Sequence, residues 1–152
     1  MAVLTEKQIK YGFDYYHKDD ARPKSVVEVS EYDGEDKLII NCTQLDEGYS
    51  TKDKKRIWLE WCDFLVNNPD TFTELMFCTR MPQELFDAVC AQRRLKRLHI
   101  KWGVYPDILK LENLQELEYL HIGSGRSVSS LEPISRLVNF CLLYTSPSPR
   151  DR

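Results

Sequence analysis

Long hydrophobic runs are absent from this 152-residue sequence. No stretch approaches the roughly 18 consecutive apolar residues that cross a bilayer. The opening MAVLTEKQIKYGFDYYHKDD places Glu6, Lys7 and Lys10 where an export leader needs an apolar core. No membrane association is therefore expected, and the expected location is cytoplasmic. A strong charge of either sign is also missing. The formal net charge of -3 gives no overall attraction to nucleic acid or to anionic lipid. Closely paired cysteines are missing too: Cys42, Cys62, Cys78 and Cys90, with Cys141 near the end, form no C-x-x-C. Neither a disulfide framework nor a zinc site is expected, and the cysteines before residue 141 read as small buried thiols.

Catalytic signatures are the last absence. The sequence holds no G-x-S-x-G, no glycine-rich phosphate loop, no H-E-x-x-H and no cysteine with a supporting histidine at a recognisable spacing. Gly123-Ser124-Gly125 is too short to cradle a phosphate, and Asp33, Asp36, Asp46 and Glu47 read as solvating loop acids. Neither enzyme activity nor a cofactor is expected. What is present, 42% hydrophobic and 30% charged residues, is the composition of one ordinary globular domain.

The strongest positive signal is a repeat. Leu95-Lys96-Arg97-Leu98-His99-Ile100 returns 22 residues later as Leu117-Glu118-Tyr119-Leu120-His121-Ile122, and Phe72-Thr73-Glu74-Leu75-Met76-Phe77 precedes it by 23. Leu137 opens a fourth copy, with Phe140 at the matching interval. The residues ahead of each copy keep step: Phe86, Ile108 and Val128 lie nine positions before, Val89, Leu111 and Leu131 six before, and Leu114 and Ile134 three before. Repeats of this length stack as supersecondary units, because one copy is too small to bury its own apolar face.

Those residues resemble the internalin-type bacterial leucine-rich repeat. Its L-x-x-L-x-x-L-x-x-L-x-L ladder is matched by Leu111, Leu114, Leu117, Leu120 and Ile122, and the resemblance covers residues 72–140. It departs where the family carries asparagine after the strand, since Trp102-Gly103 and Gly123-Ser124-Gly125 stand there. The fold implied is α/β, a leucine-rich-repeat solenoid of short parallel strands with an N-terminal β-hairpin and helix as its cap. The function implied is docking of a protein partner, not identified by the sequence, on the concave face of the sheet.

The cap is read from local pattern. Ser25 to Tyr32 and Lys37 to Cys42 are β-rich runs around Asp33-Gly34, which favours a hairpin turn. Ile57, Trp58, Trp61, Phe64 and Leu65 fall at helical spacing, with Ser50 or Thr51 to start the helix and Asn67-Asn68-Pro69 to stop it. This helix is expected to cover the first open end of the stack. The organisation expected is thus a loosely defined segment 1–24, a cap over 25–70, about three repeats over 71–140, and a tail over 141–152.

Strand alternation sends the repeat leucines inward and the residues between them outward. The outward positions form a ladder whose candidate binding residues are Glu74, Met76, Arg97, His99, Lys101, Tyr119 and His121. Lys37, Ile39 and Asn41 precede it, and Cys78 and Gly123 complete it. Aromatic, Met and Arg side chains of this kind are enriched at protein interfaces. His99 and His121 should be stacked neighbours, which raises a weaker reading as a metal or pH-sensitive pair. Arg93, Arg94, Lys96, Arg97 and Lys101 make a basic cluster that reads as a solvated face, and Asn41-Cys42-Thr43 is an accidental match to a glycosylation pattern inside a strand.

The tail stands apart. Cys141 to Asp151 resembles, residue for residue, the in-frame translation of a transposase-type sequencing-library adapter. The chain is therefore expected to be a truncated fragment, with Leu131, Ile134 and Leu137 left at an uncapped C-terminal end open to self-association. A further alternative follows, in which these repeats are the recognition arm of a larger enzyme or effector.

Overall fold

The structure, a computed structural model, describes residues 23–123, 128–137 and 142–146, the last of these as backbone. The segment up to residue 22, Ser124 and Gly125 of the glycine loop, Phe140, Cys141 and the tail beyond residue 146 lie outside the described residues.

The fold is α/β, built on a parallel sheet with two α-helices among the described residues. The strands are β1 (Lys24–Val26), β2 (Lys37–Ile40), β3 (Glu74–Phe77), β4 (Met81–Pro82), β5 (Arg97–Ile100), β6 (Gly103–Val104), β7 (Tyr119–Gly123) and β8 (Leu142–Ser146). Six of them form one sheet in the order β1-β2-β3-β5-β7-β8, and β4 pairs with β6 in a small second sheet. Each strand of the main sheet thus lies beside the next main-sheet strand in the chain, and every pairing is parallel. No helix among the described residues is long and apolar enough to cross a membrane.

The repeat offsets become the pairing register. Leu38 pairs with Leu75, Leu75 with Leu98 and Leu98 with Leu120, while Phe77, Ile100 and Ile122 form a second row. All of these side chains are buried in one continuous core. Burial of each Leu, Ile or Phe is worth about 1.5–3 kcal/mol, and a slip of one residue would turn every row to the other face, so the apolar pattern sets the register. Ahead of the strands a backbone ladder runs from Thr73 N–H to Asp36 O, Lys96 N–H to Thr73 O and Glu118 N–H to Lys96 O, each 2.8 Å.

The long helix α1 (Thr51–Asn67) forms where its pattern places it. Ser50 caps it by accepting the Asp53 N–H at 3.1 Å, Ile57, Trp61 and Leu65 bury one face, and Asn68 ends it before Pro69. The Trp61 indole N–H donates to Val27 O at 2.8 Å, so its polar edge is satisfied inside the core. In the chain α1 connects β2 to β3, and it packs on α2 (Gln83–Val89) and on a 3-10 turn at Val29–Glu31. It is a connection alongside the sheet, whose edge strand among the described residues is β1, and not a lid on the first open end.

The expected hairpin is not formed. β1 and β2 pair in parallel, with Lys24 opposite Leu38 and Val26 opposite Ile40. The Glu31 carboxylate accepts the Val27 and Glu28 N–H groups at 3.0 and 2.8 Å, which bends the chain into the 3-10 turn and stops β1 at Val26. Gly34 does occupy a left-handed turn, at φ +91°, but within a crossover.

The positions that depart from the repeat pattern are close contacts. A Cβ on Gly103 would lie 2.3 Å from Met81 O, and one on Gly123 would lie 1.5 Å from Lys101 O. Glycine therefore lets successive layers approach. Tyr105, stacked on Phe86 at 5.1 Å between ring centroids, donates its hydroxyl to Gly123 O at 2.6 Å and ties down the end of β7.

The fourth copy also departs from its expected register. Phe140 should have faced Leu120, but β8 places Leu143 there, with Leu142 opposite Tyr119. The ladder is thus extended three residues later, by the segment that resembles adapter sequence. Leu137 still joins the core, and Val128 and Ile134 pack against it. Leu131 does not, remaining 48% exposed.

Candidate functional site

The sheet has two faces, and the candidate residues share the one opposite the core rows. Pairing gives the row Lys37, Glu74, Arg97, Tyr119 and a second row Ile39, Met76, His99, His121. The ladder expected from alternation is therefore assembled in the expected order. Lys101 lies just beyond β5, where its N–H donates to Phe77 O at 2.9 Å.

Exposure corrects the expectation of an open face. Glu74, Arg97, His99 and Tyr119 are 4%, 6%, 9% and 0% exposed, and Ile39 is buried as well. Met76 and His121 are half-buried, and only Lys101 of the seven candidates is exposed. Alternation assigns a side chain to a face, but it does not say whether that face is open to water.

Charges on the buried row are paired. Arg97 Nη1 donates to Glu74 Oε1 at 3.1 Å, and the guanidinium carbon sits 5.9 Å from the centre of the Tyr119 ring. A buried ion pair recovers its desolvation cost only through such direct contact, so Glu74 and Arg97 depend on each other. The 23-residue offset between these strands sets the opposite charges side by side. That pairing was readable from the repeat alone, by writing the copies under one another.

In the adjoining row His99 Nδ1 and His121 Nδ1 are 3.1 Å apart, with ring centroids at 4.0 Å. One ring must donate and the other accept, so the accepting ring is neutral. Burial, followed by the positive charges of His121, Lys101 and Arg97, holds the His99 pKa down at about 3, and burial holds His121 at about 4. The facing nitrogens share a hydrogen bond. No group of three His, Cys, Asp or Glu residues among the described residues is placed to hold a metal.

The remaining candidates disperse. Arg93 Nη2 pairs with Asp70 Oδ2 at 2.6 Å, while Arg97 is taken up by Glu74, so the basic cluster does not make one cationic patch. Asn41 donates its amide to Ser25 Oγ at 3.0 Å, with Cys42 buried beside it. Burial pushes the Cys42 and Cys62 thiols up to about 12, and Cys90 is raised as well, so these thiols stay protonated and poorly nucleophilic. Among the loop acids, Asp46 accepts the Gly48 N–H at 2.8 Å and shapes its own turn.

No family model, curated protein or solved structure matches the chain.

Proposed function

We propose that this chain is a non-enzymatic protein-protein interaction module, a leucine-rich-repeat solenoid whose successive strands present one face to a protein partner. The observation that carries the reading is the register. Side chains 22 or 23 residues apart are brought into direct lateral contact, so unlike residues from separate repeats make one composite surface. The buried row Glu74, Arg97 and Tyr119 braces the strands. The partner engages the members that keep solvent exposure, Met76, His121 and Lys101, a thioether, an imidazole and an ammonium from three neighbouring strands and their ends. Such a mixture suits a protein surface better than a small ligand.

The test is site-specific photocrosslinking in cells that express the chain. A benzophenone amino acid at Lys101 should give a discrete covalent protein adduct, while the same group at Arg56, on the outer side of α1, should not. Substituting Lys101→Glu, at an exposed position, should weaken an adduct formed from a benzophenone at His121 with the melting temperature essentially unchanged. Equal adducts from Lys101 and Arg56 would move the docking surface elsewhere.

A further inference from the structure

A second surface lies at the start of α1, and it shares no residue with the sheet face. A cavity of about 380 Å³ opens there, floored by Leu45, Trp58 and Pro82 and rimmed by Lys54, Lys55 and Arg80. Lys54 and Trp58 are four residues apart on one side of the helix, so they point to the same space. Arg80 comes from the loop between β3 and β4.

The cavity has a built frame. The Arg80 N–H donates to Gln44 Oε1 at 2.9 Å, and Thr43 Oγ1 donates to Arg80 O at 2.6 Å with Thr79 Oγ1 2.9 Å away. Gln44 itself has a left-handed backbone, φ 55°, which costs a non-glycine residue about 1 kcal/mol and persists because these bonds hold it. The loops after β2 and β3 are thereby fixed to one another, and Arg80 is carried at the rim.

The rim is also electrostatically uncompensated. Two acids of the helix and one from the turn after β1 are used by a different cation: Arg56 pairs with Asp53, Glu60 and Glu28. None of the residues lining the cavity is an acid, and no ion pair among the described residues involves Lys54, Lys55 or Arg80. In a chain with a net charge of -3, this is a local concentration of unneutralised positive charge over an apolar floor.

We infer that this cavity binds an acidic peptide segment of a partner protein, with one bulky apolar side chain seated on Leu45, Trp58 and Pro82 and flanking carboxylates paired with Lys54, Lys55 and Arg80. The cations are spread over a helix and a separate loop. That arrangement suits several carboxylates along a peptide better than one phosphate, which calls for convergent donors.

The experiment uses the full chain and a fluorescein-labelled peptide pool in which glutamates flank one central position varied over Leu, Ile, Phe, Tyr and Trp. Fluorescence anisotropy should show saturable binding that weakens with added salt. Lys55→Glu and Arg80→Glu, both at exposed positions, should each weaken it about tenfold, with helix content unchanged by circular dichroism. Trp58→Ala should remove the preference for a bulky central residue. The inference is overturned if the parent chain does not bind the pool, or if a pool with glutamine in place of glutamate binds equally well. It is also overturned if both charge reversals leave the affinity unchanged, or if ATP binds with this residue dependence and the peptides do not.

Discussion

His99 and His121 show how one pair of residues makes the sheet sensitive to acid. In the folded chain their pKa values are held at about 3 and about 4, whereas an unfolded histidine titrates near 6.5. Between these limits the unfolded chain binds more protons than the folded one, so stability falls as pH is lowered. The contribution is intact above about pH 6.5 and is lost progressively down to about pH 3, where a second imidazolium would meet the first across 3.1 Å. Arg97 and Lys101 add to that repulsion. Urea titrations of the parent chain should lose on the order of 2 kcal/mol between pH 7 and pH 4, and the double variant His99→Gln with His121→Gln should lose clearly less. Parallel pH profiles for the two proteins would show that the pair does not carry the linkage.

At the scale of elements, α1 and the strand register were legible in the sequence because each rests on a short-range period. Ser50 with Ile57, Trp61 and Leu65 needs only the helical repeat, and Leu75, Leu98 and Leu120 need only the chain offset. The strand pairing of β1 was not legible, because alternation reads the same in parallel and antiparallel strands and Gly34 suits a turn in either. Nor was the joint between α1 and β3. There the buried Gln92 amide donates to Leu65 O and Asn68 O at 2.8 Å each, and its oxygen accepts the N–H groups of Thr71 and Phe72 at 2.8 and 3.0 Å. No local motif announces a residue whose partners lie 20 to 27 positions earlier. Gln92→Leu keeps the volume but strands four backbone groups, so it should cost about 3 kcal/mol in denaturant unfolding. A loss below about 1 kcal/mol would mean that water replaces the amide and that the joint is not a structural staple.

For the whole molecule the decisive feature is that the sheet, among the described residues, ends on β1 at one side and on β8 at the other. Its last strand, β8, pairs with β7 over five positions from Tyr119 with Leu142 to Gly123 with Ser146. A chain stopped after residue 140 would leave the β7 edge with unpaired N–H and C=O groups, and Leu131 is already 48% exposed. Exposed parallel edges of this kind recruit further strands, from a second copy if nothing else is offered. The shortened chain should therefore melt about 5 °C or more below the full one. It should also show a mass that rises with concentration in light scattering, while the full chain associates less. The comparison separates two roles for residues 142–146. If the shortened chain melts at the same temperature and stays monomeric, the strand contributes nothing and the fold is complete at β7. If it weakens and associates, any continuation of the chain must supply an equivalent strand to finish the sheet.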